Sequence, residues 1–339
     1  MSAPRVGLIG AGGISGVHAA GWRALGADVV VHSEHGAHAL ADTFGFRTAD
    51  TLTELWPQVD LVDIVTPTAT HAELALAAIA AGKHVICEKP LARTSVEAAA
   101  VVGAAEAAGV RVFPAHVVRY FPEYVAARDA IRAGRIGTVA VARFRRMSAA
   151  PKADWFFDEA RSGGIVLDQM IHDLDQAEWL AGPVARVFAR STAKAGDGGR
   201  VASAAVLLTH TSGAISHVYG VWGHPGLRFT SSFEIAGDAG LLRYDMARSD
   251  TVRVQLGGPA DAGGYLPATD PSESPYAAEL ADFWAAIESG TQASVAGTDG
   301  VRAVALAEAV LASAASGVPV DLPADPADSA HSSTEGSPR

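Results

Sequence analysis

The sequence contains a single cysteine, Cys87, among 339 residues. One thiol excludes an internal disulfide bond and a cysteine-based metal site. Basic residues are also scarce, because 26 Lys and Arg stand against 37 Asp and Glu, a formal net charge of −11 with histidine neutral. A chain this acidic, without a long run of Lys or Arg, is a poor candidate for binding nucleic acid or an anionic membrane surface.

The sequence also lacks a clear secretory signal, since Arg5 is the one early basic residue and no cleavage site follows. The longest uncharged stretch, residues 201–227, is long enough to raise the question of a membrane span, but glycine, proline and three histidines interrupt it. Its rhythm predicts a hairpin about Ser212–Gly213. The histidines recur every seven residues, which fits metal-ligand geometry badly, so no metal site is expected. We expect a cytoplasmic protein with no membrane partner.

Hydrophobic residues make up 49% of the chain, and its length favours roughly two domains. The first 115 residues alternate short β-like runs with helical stretches, a pattern typical of a parallel sheet covered on both faces. After about Tyr120, strands follow one another without helices between them, which predicts an α+β domain with a large, mostly antiparallel, open-faced sheet. The expected division is an α/β domain over 1–120, a substrate-binding and oligomerisation domain over 121–322, and a disordered tail over 323–339.

A glycine-rich loop, residues 10–15 (GAGGIS), lies between the first predicted strand and the first predicted helix. In a dinucleotide-binding fold such a loop makes the tight turn, lets backbone approach the pyrophosphate and permits close helix–strand packing. The third small position is Ser15 instead of glycine or alanine. A purely structural turn is the alternative. We predict a Rossmann-type domain in which four loop residues bind an NAD(P) cofactor: Gly10, Gly12, Gly13 and Ile14.

The end of the second predicted strand bears on the choice between NAD and NADP. An NAD-binding fold commonly has an acidic residue there that accepts hydrogen bonds from the ribose hydroxyls. The strand-end residue here is Ser33, with Glu34 one place further on. Ser33 with His32 or His35 could bind a 2′-phosphate, whereas Glu34 turned inward would reverse the preference. We expect NADP to be slightly favoured.

Three motifs follow in an order that resembles a known family. They are TPTATH at residues 66–71, CEKP at 87–90 and GGIVLDQMIHD at 163–173. With the glycine loop, they resemble the Gfo/Idh/MocA family of NAD(P)-dependent oxidoreductases over residues 4–322. The Glu-Lys-Pro and Asp-x-x-x-His motifs are the parts of this resemblance that are specific to the family. The resemblance implies a cis peptide bond before Pro90.

Lys89, Asp168 and His172 are the candidate catalytic residues. Asp168 and His172 are four residues apart on a predicted helix, so their side chains would share a face. A carboxylate beside an imidazole would fix its tautomer and raise its pKa, which suits proton transfer. Lys89 lies at the carboxyl end of a predicted parallel strand, where doubly wound sheets bind ligands. A solvated lysine, a surface acid and an interior histidine are the alternatives for each residue taken singly.

Other residues are expected to line the cleft between the domains. Besides the loop and Ser33, the predicted cofactor-binding residues are Thr66, His71, Glu88 and Lys89. The predicted substrate-binding residues are His116, Arg119, Trp155, Asp168 and His172. Glu88 could instead only orient Lys89, His71 could cap its helix, and residues such as Trp155 could be ordinary packing.

The resemblance implies hydride transfer between a nicotinamide cofactor and a secondary alcohol or ketone of a sugar, inositol or related polyol. A homodimer or homotetramer is expected. Two alternatives stay open. One keeps the site but uses a tightly bound cofactor for transient oxidation, so that the net reaction is elimination, epimerisation or glycoside cleavage. The other is a dinucleotide-binding protein without catalytic activity.

Overall fold

The structure, a computed structural model, describes residues 3–196, 199–247 and 274–323. Its N-terminal part is built on a six-stranded sheet in which every neighbouring pair is parallel. The strands are β1 (Arg5–Ile9), β2 (Asp28–His32), β3 (Arg47–Thr48), β4 (Leu61–Ile64), β5 (His84–Glu88) and β6 (Val112–Ala115), and their order in the sheet is β3-β2-β1-β4-β5-β6. The order reverses between β1 and β4, and this is the point at which a doubly wound sheet binds ligands.

Five helices connect these strands. They are α1 (Ser15–Ala24), α2 (Ala37–Phe44), α3 (Leu52–Leu55), α4 (His71–Ala80) and α5 (Ser95–Ala108). The central strands β4 and β5 are buried along almost their whole length because helices cover both faces of the sheet, and the predicted Rossmann-type architecture is confirmed. Neither β3 nor α3 was predicted, since elements of two and four residues are too short to show a periodicity.

A seven-stranded sheet forms the second part of the molecule. Its strands are β7 (Val139–Ala149), β8 (Val184–Gly196), β9 (Gly199–His210), β10 (Ile215–Gly223), β11 (Thr230–Gly237), β12 (Leu241–Asp245) and β13 (Val320–Asp321), in the order β12-β11-β7-β10-β9-β8-β13. All neighbouring pairs are antiparallel except β7 and β10, which run parallel. The expected hairpin about Ser212–Gly213 joins β9 and β10. By sequence, residues 252–256 are a further candidate strand, but that segment and the predicted tail from residue 324 lie outside the described residues.

Helices cover one face of this second sheet. Residues of β10 alternate, so that Val218 and Trp222 are buried while Ile215 and Tyr219 on the other face are 38% and 42% exposed. The remaining helices are α6 (Pro122–Arg132), α7 (Glu159–Ser162), α8 (Ile171–Ala181), α9 (Pro275–Ser289) and α10 (Gly297–Ser316), and a π-helical segment, Val166–Met170, leads into α8. The open-faced α+β prediction is therefore confirmed.

Helix α9 follows the strands of the second sheet in the chain, but it packs onto the first sheet. Leu280 and Phe283 are fully buried in the core formed by Val6, Leu8 and Ile86 of the parallel strands. The Phe283 ring stacks on the Phe113 ring with 4.7 Å between centroids. The expected division near residue 120 therefore separates the two sheets, but α9 belongs by its packing to the first of them.

We expect Phe283→Ala to lower the free energy of unfolding by about 3–5 kcal/mol, the usual cost of a large cavity in a core. Urea unfolding monitored by tryptophan fluorescence measures this change. Phe283→Leu is the control, since it keeps an apolar side chain and should cost less. Equal stability of Phe283→Ala and the wild type would contradict the packing of α9 against the parallel sheet.

Candidate active site

A cleft of about 950 Å³ lies between the carboxyl ends of the parallel strands and the second sheet. Most of the residues predicted to bind cofactor or substrate line this cleft. Those that line it are Gly10, Gly12, Gly13, Ile14, Ser33, Thr66, His71, Glu88, Lys89, Trp155, Asp168 and His172. His116 and Arg119 do not.

The glycine loop fits a pyrophosphate. Gly10 has φ +115°, and a Cβ there would lie 2.8 Å from the Val65 carbonyl oxygen, so the turn itself requires glycine. A Cβ at Gly12 or Gly13 would meet no protein atom within 4 Å, so protein packing does not explain those two glycines. Helix α1 starts without a side-chain cap or an acidic residue in its first turn. Its N–H groups and positive dipole end can therefore receive an anion.

The end of β2 lines the cleft beside this loop. His32 accepts a hydrogen bond at its carbonyl oxygen from the Gly10 amide at 2.9 Å, which ties the strand end to the glycine turn. The Ser33 hydroxyl donates to the His35 carbonyl oxygen at 2.8 Å. Glu34 and His35 also line the cleft. The side chains available to a ribose or a 2′-phosphate at this end of the sheet are thus Ser33, Glu34 and His35.

His71 connects two loops of the site. Its Nδ1 lies 2.7 Å from the Pro90 carbonyl oxygen, and its Nε2 lies 2.8 Å from the Thr66 carbonyl oxygen. Thr66 also accepts a hydrogen bond at its hydroxyl from Thr70 at 2.7 Å. The Lys89–Pro90 peptide bond is cis, as the resemblance implied. His71 therefore holds the loop after β4 against the loop that carries Lys89.

Lys89 and Asp168 meet across the cleft. Lys89 Nζ donates to the backbone carbonyl oxygen of Asp168 at 2.5 Å and lies 3.3 Å from its carboxylate Oδ1. Both side chains are largely buried, at 13% and 6% exposed. The ammonium is thus bound to two oxygen atoms of the same residue, and this fixes its position near the carboxyl end of β5.

His172 is in the cleft, but its environment differs from the sequence prediction. Its Nδ1 is buried and has no hydrogen-bond partner among the residues that the structure describes, and the titratable groups that act on it are Lys89, Arg146 and His116. Burial, followed by the Lys89 charge, lowers the pKa of His172 well below its usual range. The expectation that Asp168 would raise this pKa is wrong. The reason is local, because residues 166–170 are π-helical and the i,i+4 alignment of an α-helix does not hold there.

Two residues predicted to touch substrate are used elsewhere. Arg119 binds the Asp175 carboxylate through two nitrogens, at 2.9 and 2.7 Å, and lies 3.2 Å from Asp299. His116 is 1% exposed, and within the described ranges neither of its ring nitrogens has a hydrogen-bond partner. The prediction that they line the cleft is therefore corrected. They lie behind its wall, where a buried ion pair holds Arg119.

The sequence prediction missed Arg146. Its Nε and Nη2 donate to the two carboxylate oxygens of Asp173 at 2.9 and 2.8 Å, and its guanidinium lies 5.7 Å from the Phe229 ring centroid. Arg146 is only 5% exposed and lines the cleft. A signal was present in the sequence. Arg146 has the same period-two spacing as Ala142, Phe144 and Ser148, so it lies with them on the buried face of β7. The aromatic lining was also largely missed: Phe156, Phe229 and Tyr276.

The two parts of the chain match two halves of one protein family. Residues 4–116 match the oxidoreductase family with an NAD-binding Rossmann fold, and residues 124–243 match the GFO/IDH/MocA C-terminal domain. The chain belongs to the Gfo/Idh/MocA family. It is an NAD-binding oxidoreductase by this membership, and the function predicted from its motifs has the support of its relatives.

Those relatives resemble the chain over nearly its whole length. A 1,5-anhydro-D-fructose reductase of Ensifer adhaerens is 34% identical, covering 94% of this chain and 98% of the relative. An inositol 2-dehydrogenase of Rhizobium meliloti (strain 1021) is 32% identical, covering 92% and 97%. Their names describe net oxidation or reduction, so transient oxidation without net redox is not favoured.

Solved structures are similar over the same extent. GenD2 from gentamicin A biosynthesis, in complex with NAD, superposes with a TM-score of 0.83 at 28% identity and covers 96% of this chain and 97% of its own. Levoglucosan dehydrogenase with NADH and levoglucosan has a TM-score of 0.80 at 26% identity, covering 95% and 100%. Both parts of the fold are thus found together in enzymes with a bound nicotinamide cofactor.

Within the described parts of the chain, no group of three His, Cys, Asp or Glu side chains is arranged to hold a metal ion. Nor does any helix there have the length and apolar character needed to cross a membrane.

Buried neutral histidines should each make the protein less stable as pH falls below ~6.5, the usual pKa of histidine in an unfolded chain. Burial is the main cause that lowers the pKa of His116, His172 and His210, so each takes up a proton on unfolding in acid and contributes up to about 1.4 kcal/mol per pH unit. Glu178 and Glu279 act in the opposite direction, because burial raises their pKa and each releases a proton on unfolding near neutral pH. The contribution of His116 is therefore measured against a variant that lacks it.

Thermal unfolding of the wild type and of His116→Gln at pH 6.5 and pH 5.5 measures this contribution. The lower pH should reduce the Tm of the wild type relative to that of His116→Gln. An equal change in Tm in the two proteins would show that His116 is not held neutral.

Proposed function

We propose that the protein is an NAD(P)-dependent dehydrogenase or reductase that acts on a secondary alcohol or ketone of a sugar, inositol or related polyol. The observation that carries the proposal is the Lys89–Asp168 contact across the cleft, with His172 beside it and the glycine loop opposite. The named activities of the relatives support the substrate class.

The cofactor would be held by the first domain. The amides of Gly12, Gly13 and Ile14 receive the pyrophosphate, and Ser33 with its neighbours contacts the adenosine ribose. Thr66, His71 and Glu88 shape the nicotinamide end of the site, through the two loops that His71 joins. When bound, a nicotinamide supplies a position that accepts or donates hydride.

His172 is proposed as the general base in the oxidative direction. It is neutral near pH 7, because burial lowers its pKa, so it can accept a hydroxyl proton. His172 lines the cleft, so its ring can be reached by a bound substrate. Lys89 would hold the substrate oxygen by donating to it or would share the proton. Asp168 then positions Lys89 instead of His172, which revises the role we expected for it.

Arg146 is proposed as a substrate-binding residue. Asp173 holds its Nε and Nη2, and the Arg146 side chain lines the cleft. It therefore offers a fixed donor to a hydroxyl or ether oxygen. Trp155, Phe156 and Phe229 add apolar surface around it. Fixed polar groups amid aromatic side chains suit a ring-shaped polyol.

The oligomeric state of the protein and its cellular location stay predictions. The outward face of the seven-stranded sheet exposes several apolar side chains, and we propose that it joins copies of the chain into a homodimer or homotetramer. They are Val201, Leu207, Ile215, Tyr219 and Leu241. A cytoplasmic location is proposed on the sequence argument alone.

We expect Lys89→Met and His172→Ala each to lower kcat/KM by about two to four orders of magnitude, the usual cost of losing acid–base catalysis. The assay is the change in NAD(P)H absorbance with sugars, inositols and their keto forms. Lys83→Met and His38→Ala change residues that do not line the cleft and serve as controls. Near-normal turnover in both site variants would overturn the catalytic assignment. A cofactor that copurifies and never exchanges would instead favour transient oxidation.

The cofactor preference can be tested at Ser33. We expect Ser33→Asp to weaken NADPH binding by about tenfold or more relative to NADH, because a carboxylate accepts hydrogen bonds from ribose hydroxyls and repels a 2′-phosphate. Fluorescence titration with NADH and NADPH gives the two dissociation constants. Ser33→Asn is the matched control, since it has the same size as Asp without the charge. An unchanged ratio in Ser33→Asp would show that Ser33 does not contact the ribose.

A further inference from the structure

A row of buried polar side chains lies directly behind the cleft. His18, in the first turn of α1, has its Nδ1 2.8 Å from Asp63 Oδ2 and its Nε2 3.1 Å from Glu88 Oε1. Trp22 donates to the same Asp63 oxygen at 2.7 Å, and Glu88 Oε2 accepts the Lys89 amide at 3.0 Å. The row therefore joins the helix that begins at the glycine loop to the strand end that carries Lys89.

The hydrogen bonds determine where the protons lie. Trp22 can only donate, so Asp63 Oδ2 accepts from it. Because a carboxylate is a weaker base than an imidazole, the proton between Asp63 Oδ2 and His18 Nδ1 lies on His18. One further proton is shared between His18 Nε2 and Glu88 Oε1. An imidazole is more basic than a carboxylate, so this proton lies on His18. His18 is then an imidazolium between two carboxylates, although its side chain is 0% exposed.

The charges around this row agree with that placement. Burial by itself would lower the pKa of His18, but Asp63 and Glu88 raise it well above its usual range. Burial would raise the pKa of Glu88, but His18 outweighs it and lowers the pKa. Burial, reinforced by Glu88, raises the pKa of Glu279 far above its usual range, so Glu279 is a neutral acid. The groups that face the row from the packed elements are Asp63, His71, Cys87, Lys89, Tyr276 and Glu279.

We propose that His18 is a positioning residue of the active site, which holds Glu88 as a fixed carboxylate and, through it, holds the backbone of Lys89. Glu88 lines the cleft and is the last residue of β5. Without the imidazolium, a carboxyl group so deeply buried would take up a proton near neutral pH. It would then lose its charge toward the cleft. This inference rests on the proposed function, since it assigns His18 a role at the same cofactor site.

The cost of the arrangement argues against simple packing. Removing three charged groups from water is unfavourable unless every group is paired and hydrogen-bonded, and an apolar cluster of the same volume is often as stable. The row instead places its charges at one point, where α1, β4 and β5 meet behind the cleft. Its effect is to make the charge of Glu88 independent of pH over the range in which the enzyme would work.

The charge state of His18 can be measured without substrate or cofactor. In the full-length protein labelled with ¹⁵N-histidine, NMR should show both His18 nitrogens protonated from pH 6 to pH 9. The signal is assigned by its loss in His18→Gln. Asp63→Asn is a second variant in case His18→Gln does not fold, and in it a neutral form of His18 should appear within this range. A His18 that carries one proton at pH 7 in the wild type would overturn the proposal.

The consequence for the site is measured by NADH and NAD⁺ binding as a function of pH. In His18→Gln, Glu88 should gain a proton, and the dissociation constant of NAD⁺ should rise as pH falls from 8 to 6, with a limiting slope of about tenfold per pH unit for one proton. The wild type should lack this slope, and His18→Gln/Glu88→Gln should lose it again. His210→Gln, another buried histidine with two hydrogen-bond partners, is the control and should show no new slope.

The outcomes distinguish a failure of the role proposed for His18 from a failure of the proposed function. The same pH dependence in His18→Gln and the wild type would reduce His18 to a structural role. A slope that persists in the double variant would assign the titration to another group and overturn the link to Glu88. A wild type that binds neither NAD(H) nor NADP(H) would overturn the proposed function, and the NMR result would still report whether His18 is charged.

Discussion

The contact between Lys89 and Asp168 is the interaction on which the site depends. Lys89 comes from the end of a parallel strand and Asp168 from a π-helical segment of the second part of the chain, and the ammonium is bound by two oxygens of one residue. Both residues line the cleft together with His172. Because the lysine charge lies so near, it also helps to hold His172 neutral. One ion pair thus sets the geometry and the protonation state of the site together.

Behind the cleft, other buried cationic side chains are likewise paired with carboxylates. Arg146 binds Asp173, Arg119 binds Asp175, and His18 lies between two carboxylates. Such buried pairs add little net stability compared with apolar residues, since desolvation offsets most of the attraction. They do fix side chains in direction. A rigid charged wall behind the cleft lets an acidic protein of net charge −11 present a few fixed cations to its ligands.

Much of this molecule could be predicted from periodicity and turn signals. The sequence predicts helices over Ala37–Phe44, Ser95–Ala108 and Pro275–Ser289, and the structure has the same bounds, with a glycine directly after each helix. The short β3 and α3 carry no periodic signal. The motif residues that line the cleft were found because their type and order are specific. Arg119 and His116 were misplaced, since residue type does not tell whether a buried acid such as Asp175 will engage an arginine first.

The sequence by itself determined the two sheets, the glycine turn at Gly10 and the residues from which the site is made, because these follow from local chain geometry and from side-chain chemistry. Only the tertiary structure decided how those residues interact. The π-helical winding at 166–170 turned Asp168 toward Lys89 instead of His172, and burial reversed the expected shift of the His172 pKa. Likewise, the charge of His18 depends on two carboxylates distant in sequence. Desolvation and long-range charge pairing are properties of the packed molecule, so no local pattern encodes them.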